Sequence, residues 1–185
     1  MEYLQVDDDL HLEEIKLSHA GLVFEVIERD RNYLRRWLPF VDQTRRIKDT
    51  ERYIRTILSP SLKKQNCVYT IWYRGEFAGL AGYKDTDLIN HKSEIGYWLT
   101  EKLQGRGIMT RAVRKLVDFG FRNMQLNRIQ IRVAVGNARS AAIARRLGFE
   151  SEGIERNGEY HTDRYFDLEV FSMLKSEWKD RLIQR

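Results

Sequence analysis

The chain has 185 residues, 42% hydrophobic and 32% charged, a length and composition suited to one domain with a real core and unlike a disordered or fibrous chain. Its net charge of +5 arises from 32 basic residues interleaved with 27 acidic ones, without the concentrated basic face or module that nucleic acid binding needs, so no nucleic acid partner is expected. No apolar run approaches the roughly 20 residues of a membrane helix. The acidic start Met1–Glu14 lacks the pattern of a secretory signal, which makes the cytoplasm the expected location, with no membrane partner.

The first expected strand is Leu10 to Leu17. Ser18 suits an N-cap for a helix from about His19 to Arg36, with Leu22, Val23, Val26, Ile27, Tyr33 and Leu34 as its apolar stripe. Trp37-Leu38-Pro39 ends it, because the residue before a proline avoids helical geometry. Tyr53, Ile54, Ile57 and Leu58 place a second helix at about Lys48 to Leu62. From Cys67 the period becomes that of strands. Val68 to Tyr73 and Phe77 to Tyr83 form a hairpin about Arg74-Gly75-Glu76, a polar connection runs from Asp85 to His91, and Glu94 to Leu99 is the next strand. Short links between three successive strands imply antiparallel pairing.

A single cysteine, Cys67, excludes an intrachain disulfide and a cysteine-based metal cluster; in CVYTIWY it reads as core filling. His11, His19, His91 and His161 are scattered without helical pairing, so no metal site is expected.

The segment Gln104-Gly105-Arg106-Gly107-Ile108-Met109 then stands at a strand-to-helix turn. Glycines let backbone N–H groups approach an anion there, and the helix N-terminus adds partial positive charge, which points to a phosphate-bearing ligand. The helix, Ile108 to about Met124, buries Met109, Ala112, Val113, Leu116, Val117, Gly120 and Met124. Arg128 to Val135 alternates as a strand, and a strand–helix–strand unit of this length implies one parallel pair with a right-handed crossover. Asn137 opens a short helix closed by Leu147-Gly148, and strand resumes at Phe149. Asn157-Gly158 reads as a hairpin turn, Tyr165 to Leu174 as the last strand, and the tail from Ser176 as a short helix. With no repeat or linker, residues 1–185 are expected to form a single domain.

Two phosphate motifs fail. No Gly-Lys-Ser/Thr exists for a Walker loop, and the dinucleotide fingerprint lacks its third glycine, at Thr110, and the acidic residue expected about 20 positions on. The segment instead resembles the GNAT family of N-acetyltransferases, whose motif is Arg/Gln-x-x-Gly-x-Gly/Ala; Gln104, Gly107 and Met109 occupy its positions, Met109 departing from the final small residue. EIGYWL before the loop, LNRIQIRVAVGNARSAAIARRLGF after it, and the closing strand with SEW extend the likeness, in particular to the RimJ/RimL branch that acetylates ribosomal-protein N-termini. The resemblance runs from about Cys67 to Trp178 and is only positional for the two N-terminal helices.

This resemblance implies an α+β, three-layer fold: a mostly antiparallel mixed sheet with one parallel crossover, splayed central strands, and helices on both faces. It implies acetyl-CoA as cosubstrate and no metal. Backbone N–H groups of Gly105, Arg106, Gly107, Ile108, Met109 and Thr110 would cradle the pyrophosphate, with Arg106 and Arg111 as phosphate partners and Gln104 capping the loop or touching ligand. The pantetheine arm would pair with the backbone of Tyr97, Trp98 and Leu99, and an N–H near Trp98 or Leu99 would stabilise the oxyanion. Asn137 would lie beside the pantetheine and Ser140 near the sulfur, as proton donor to the leaving thiolate; as structure alone, Asn137 is a good N-cap and Ser140 a first-turn residue. Glu159, with Glu94 as competitor, is the candidate base; either can equally be a solvent-facing strand residue. The acceptor is a protein N-terminus or a small amine such as a polyamine or aminoglycoside, chosen by Tyr33, Trp37, Phe40, Arg45-Arg46 and the Gly158–Asp163 loop. A non-catalytic acetyl-CoA sensor is the alternative of another class. A homodimer would be in keeping with the family.

Overall fold

The computed structural model describes residues 3–59 and 66–178. One eight-stranded sheet runs in the order β1-β2-β3-β4-β5-β6-β8-β7. Its strands are β1 (Tyr3–Asp7), β2 (Leu10–Glu14), β3 (Cys67–Tyr73), β4 (Glu76–Asp87), β5 (Lys92–Leu99), β6 (Arg128–Ala134), β7 (Glu150–His161) and β8 (Arg164–Leu174). Every neighbouring pair is antiparallel except β5 with β6, the pair joined by the crossover helix α4 (Ile108–Arg122).

Helices cover both faces, as the resemblance implies. Helix α4 buries Met109, Ala112, Val113, Leu116, Val117 and Phe121 against one face, and α5 (Ala138–Leu147) joins it there with Ala141, Ala144 and Leu147. On the other face, Val23, Val26 and Ile27 of α1 (Ala20–Arg29), Leu34 of α2 (Arg31–Leu34) and Ile54 and Ile57 of α3 (Ile47–Ile57) pack with Phe77, Leu80 and Trp98 of the sheet. The near-continuous apolar burial along β4 follows from lying between these layers.

Several elements differ from the sequence expectation, each for a physical reason. Tyr3–Asp7 is also a strand, held because its partner β2 is itself paired with β3. Ser18 lies within a 3-10 turn, Leu17–His19, and caps nothing. The expected long helix His19–Arg36 breaks at Asp30, whose buried carboxylate turns away to accept from Thr100 Oγ1 and, at 2.9 Å, from the Glu101 N–H. Helix α3 starts where Asp49 accepts the N–H groups of Arg45 and Arg46 at 3.1 and 3.0 Å. It ends at Ile57, and positions 60–62 of the expectation lie outside the described residues. The hairpin turn between β7 and β8 is Thr162-Asp163, not Asn157-Gly158. Asn157, at φ 53°, instead lies in a bulge where Arg156 to Gly158 oppose Asp167 alone. Residues 175–178 are helical, and the rest of the expected terminal helix lies outside the described residues. No helix among the described residues is long and apolar enough to cross a membrane.

Candidate active site

The sheet opens between β5 and β6. These strands pair over only three positions, Lys92 with Arg128, Ser93 with Ile129 and Glu94 with Gln130, whereas β6 stays paired with β8 along its whole length. Beyond Glu94 the two strands part, and the edge of β5 from Ile95 to Leu99 faces the gap. On the opposite edge the Thr100 N–H donates to the Ala78 carbonyl at 2.8 Å, so the alternation of a strand turns the N–H of Trp98 towards β4. It also turns the N–H groups of Tyr97 and Leu99 into the gap. Of the two expected oxyanion donors, the geometry therefore favours Leu99 over Trp98.

At the wide end of the gap the chain leaves β5 through a short 3-10 turn, Glu101–Leu103, and enters the glycine loop. Gly107 is the N-cap of α4 with φ 70°, a left-handed conformation that a side chain would strain. No protein atom lies within 4 Å of where a Cβ would sit on Gly105 or Gly107, so this backbone is open to close approach. Loop, gap and α5 together enclose a cavity of about 760 Å³. Every expected cofactor-binding residue lines it: Tyr97, Trp98, Leu99, all of Gln104 to Arg111, Asn137 and Ser140. Met109, the irregular motif position, also turns into the core and is 5% exposed.

Ser140 is held from two sides. Its backbone N–H reaches the Asn137 side-chain oxygen at 3.3 Å, which is the N-cap bond of α5. Its hydroxyl donates to the Tyr97 hydroxyl at 3.1 Å, and that hydroxyl in turn donates to the Ser140 carbonyl at 3.2 Å. Burial pushes the Tyr97 phenol up to about 12, the Ser140 hydrogen bond opposing it, so the phenol is neutral across the physiological range.

The arginines divide. Arg111 lines the cavity, but its guanidinium is bound by Asp7 at 2.6 Å and Asp9 at 2.8 Å, both at the β1–β2 turn. The Arg111 hydrogen bond holds the Asp9 carboxyl below the usual carboxylate range. Arg106 is exposed and forms no ion pair with the described residues. Arg146 donates to Thr110 Oγ1 at 2.9 Å, and Arg139 donates to Gln104, which itself donates to the Tyr33 hydroxyl.

The two candidate bases are not equivalent. Glu94 is outside the cavity, 3% exposed, and bound by Lys84 at 2.7 Å, Arg132 at 2.6 Å and Gln130 at 3.1 Å. These partners weigh against it as a base: the side chain lies on the paired end of β5, beside β6, rather than at the open end. Glu159 also falls short of the cavity wall, but it bonds His161, whose ring lies 4.5 Å from Phe166, and Phe166 meets the cavity-lining Trp37 at 6.4 Å.

Tyr33, Leu34, Trp37 and Leu38 also line the cavity, and Tyr33 and Trp37 are among the residues singled out for acceptor choice. Arg139, Ala142, Ile143 and Arg146, and the Tyr97 side chain, were not anticipated. Stepping at helical period from Ser140 would have found Ile143, and from Arg139 both Ala142 and Arg146. Among the described residues no group of His, Cys, Asp and Glu could hold a metal ion.

The model of the acetyltransferase (GNAT) domain matches residues 9–150. The chain belongs to the GNAT acetyltransferase family. A putative ribosomal N-acetyltransferase of Bacillus subtilis, YdaF, is 32% identical over 95% of this chain and 96% of its own. Among solved structures, RimL, a ribosomal L7/L12 alpha-N-protein acetyltransferase in complex with coenzyme A, superposes with a TM-score of 0.90 at 26% identity, covering 95% of this chain and 99% of that one. The microcin C7 self-immunity acetyltransferase MccE, in complex with acetyl-CoA and AMP, has a TM-score of 0.87 at 26% identity, covering 92% and 95%. The mixed sheet with its single parallel crossover is thus the GNAT fold.

Proposed function

We propose that this protein transfers the acetyl group of acetyl-CoA to the N-terminal α-amine of a ribosomal protein, by direct attack in a ternary complex. The observation that carries the reading is the open edge of β5, with the N–H groups of Tyr97 and Leu99 facing a gap that ends at Ser140 and begins at the left-handed glycine loop. An extended amide-bearing arm fits such an edge as a further strand would, and a pyrophosphate fits the loop N–H groups at the start of α4. The coverage and ribosomal substrates of YdaF and RimL support the acceptor class.

Acetyl-CoA supplies an activated thioester. The Leu99 N–H is aimed to polarise the carbonyl oxygen and to stabilise its negative charge as the amine adds. The Ser140 hydroxyl, which donates to the Tyr97 hydroxyl in the structure, turns that proton to the departing sulfur and regains one from water as the thiol leaves, while the neutral Tyr97 hydroxyl keeps the Ser140 oxygen in place. Glu159 takes the proton of the amine through water. An α-amine, with a pKa near 8, needs less help to be neutral than a lysine near 10.4, which suits a base set back from the cavity wall. Arg106 is the phosphate partner of the loop; Arg111, bound by Asp7 and Asp9, has that role only if its acidic partners release it.

The test is a panel of ribosomal-protein N-terminal peptides, polyamines and aminoglycosides, with thiol release as readout. N-terminal peptides are expected to turn over fastest. Ser140→Ala should lower kcat by about 100-fold or more and leave coenzyme binding intact, the scale of one lost proton donor. Unchanged turnover would remove Ser140 from the mechanism. No thiol release with any amine would favour a sensor over an enzyme.

A further inference from the structure

His161 is the one buried histidine, its ring is packed on Phe166, and it has a single side-chain hydrogen-bond partner. Its side chain is 7% exposed and its Nε2 lies 2.7 Å from Glu159 Oε2. The two residues stand two apart on β7 and so share a face of the strand. The imidazole cannot swing freely: its ring packs at 4.5 Å on Phe166, the residue opposite Glu159 in β8, and Phe166 is edge-on to Trp37 of the cavity wall. The turn beyond is tied down as well, because Thr162 donates to Asp42 at 3.0 Å. No other partner of the Glu159 carboxylate is found among the described residues, so one of its oxygens is occupied and the other is open.

We propose that His161 is a positioning residue for the acceptor-side base: its Nε2–H donates to Glu159 Oε2 and fixes the carboxylate, while Oε1 receives the proton of the acceptor amine. This rests on Glu159 being that base. A hydrogen bond to the charged form of an acid stabilises that form, and a buried, packed donor does so without reorganising. The step balances simply. The amine nitrogen loses one proton, through water, to Oε1, and His161 keeps its own proton throughout. The other charged groups around the ring are Arg164, opposite His161 in β8, with Asp163 in the turn, and the Arg35–Asp42 pair on the docked N-terminal segment at 3.1 Å. Arg164 lies over the Phe166 ring at 4.5 Å.

The experiment compares native protein, His161→Phe, His161→Gln and Glu159→Gln by kcat/KM against pH, with the acceptor peptide varied, alongside the KM for acetyl-CoA and the melting temperature. Phenylalanine keeps the ring and loses the donor. It should lower kcat/KM about ten-fold, roughly the value of one hydrogen bond to a charged group. The KM for acetyl-CoA should not change. Glutamine places an N–H near the imidazole Nε2 position and should restore most of the rate. A His161→Phe protein with a native kcat/KM overturns the proposal, as does equal impairment of the Phe and Gln variants, which would mark the ring as packing alone. Where His161→Phe does not fold, His161→Asn, too short to reach Oε2, serves with the same expectation. If Glu159→Gln itself has native rate and profile, the base assignment fails instead. A slow Glu159→Gln beside a native His161→Phe upholds Glu159 and rejects only the role of His161.

Discussion

Asp30 ties the acceptor-side helices to the glycine loop, and its removal should be felt at both. Its carboxylate is 7% exposed and accepts from Thr100 Oγ1, from the Glu101 N–H at 2.9 Å and from Arg29 Nε at 2.8 Å. Burial pushes this carboxyl up, but the hydrogen bonds from Arg29, Thr100 and Glu101 outweigh it and hold it below the usual carboxylate range. Asp30→Ala takes the acceptor from two donors in the buried corner, where Thr100 is fully buried and keeps only its bond from Arg29. Arg29 is 44% exposed and water replaces its partner cheaply. The expected loss is therefore about 2–4 kcal/mol, set by the buried donors. Because the folded pKa lies below the unfolded one, this contribution is present above about pH 4 and is lost as pH falls through the folded value. Urea titrations of the native protein and Asp30→Asn should differ at pH 7 and differ by less at pH 3. The alanine variant should also raise the KM for acetyl-CoA, since Thr100 and Glu101 lead directly into the loop. A stability difference that is equal at both pH values, or an alanine cost under about 0.5 kcal/mol, would refute the reasoning.

Two other substitutions separate the frame from the chemistry. A Cβ on Gly79 would fall on the Trp98 carbonyl oxygen, inside van der Waals contact, so Gly79→Ala should push β5 and spoil the gap; the expected cost is about 1–3 kcal/mol with a marked rise in the KM for acetyl-CoA. Gly82→Ala, whose Cβ would fall on Cys67 of β3 instead, is the control: comparable destabilisation with a smaller change in KM, both read by melting temperature and thiol release. Glu94→Gln removes a buried negative charge from Lys84 and Arg132 and should cost about 2–3 kcal/mol, moderated by the second partner of Arg132, Glu155 at 3.2 Å. Its kcat should stay near native; a fall beyond about ten-fold in a folded Glu94→Gln protein would return Glu94 to the mechanism.

The parts of the fold legible in the sequence were those that rest on local patterns. RIQIRVAV alternates, the helix after Gly107 keeps a 3.6 period, and a strand–helix–strand unit among hairpins has one right-handed solution. The cavity-lining loop and α5 followed from the same local signals and the family likeness. What stayed hidden depends on partners far along the chain. Asp30 breaks its helix for Thr100, 70 residues on, and Arg111 is claimed by Asp7, 104 residues back. Glu94 looked like any strand carboxylate until Arg132 and Lys84 closed on it from the neighbouring strands. No periodicity records such pairings, because each depends on the strand order.

The Asn157-Gly158 pair shows how a correct local signal can have the wrong consequence. Asparagine before glycine does mark a left-handed backbone, and Asn157 has it; the sheet uses it to absorb extra residues in β7 rather than to reverse the chain. The Asn157 N–H is fixed to Asp167 at 2.8 Å, and β7 then continues far enough to pair Glu159 with Phe166 and His161 with Arg164. Had the chain turned at Gly158, Glu159 and His161 would share a face of the return strand instead, and neither would pair with Phe166 or Arg164 of β8. The bulge thus carries the carboxylate and its imidazole partner to Phe166, the ring that meets Trp37. The proposed base, carried on a strand paired to β8 and bonded to a buried ring, is also less free than a carboxylate on an exposed turn, the property that a proton acceptor set back from its substrate requires.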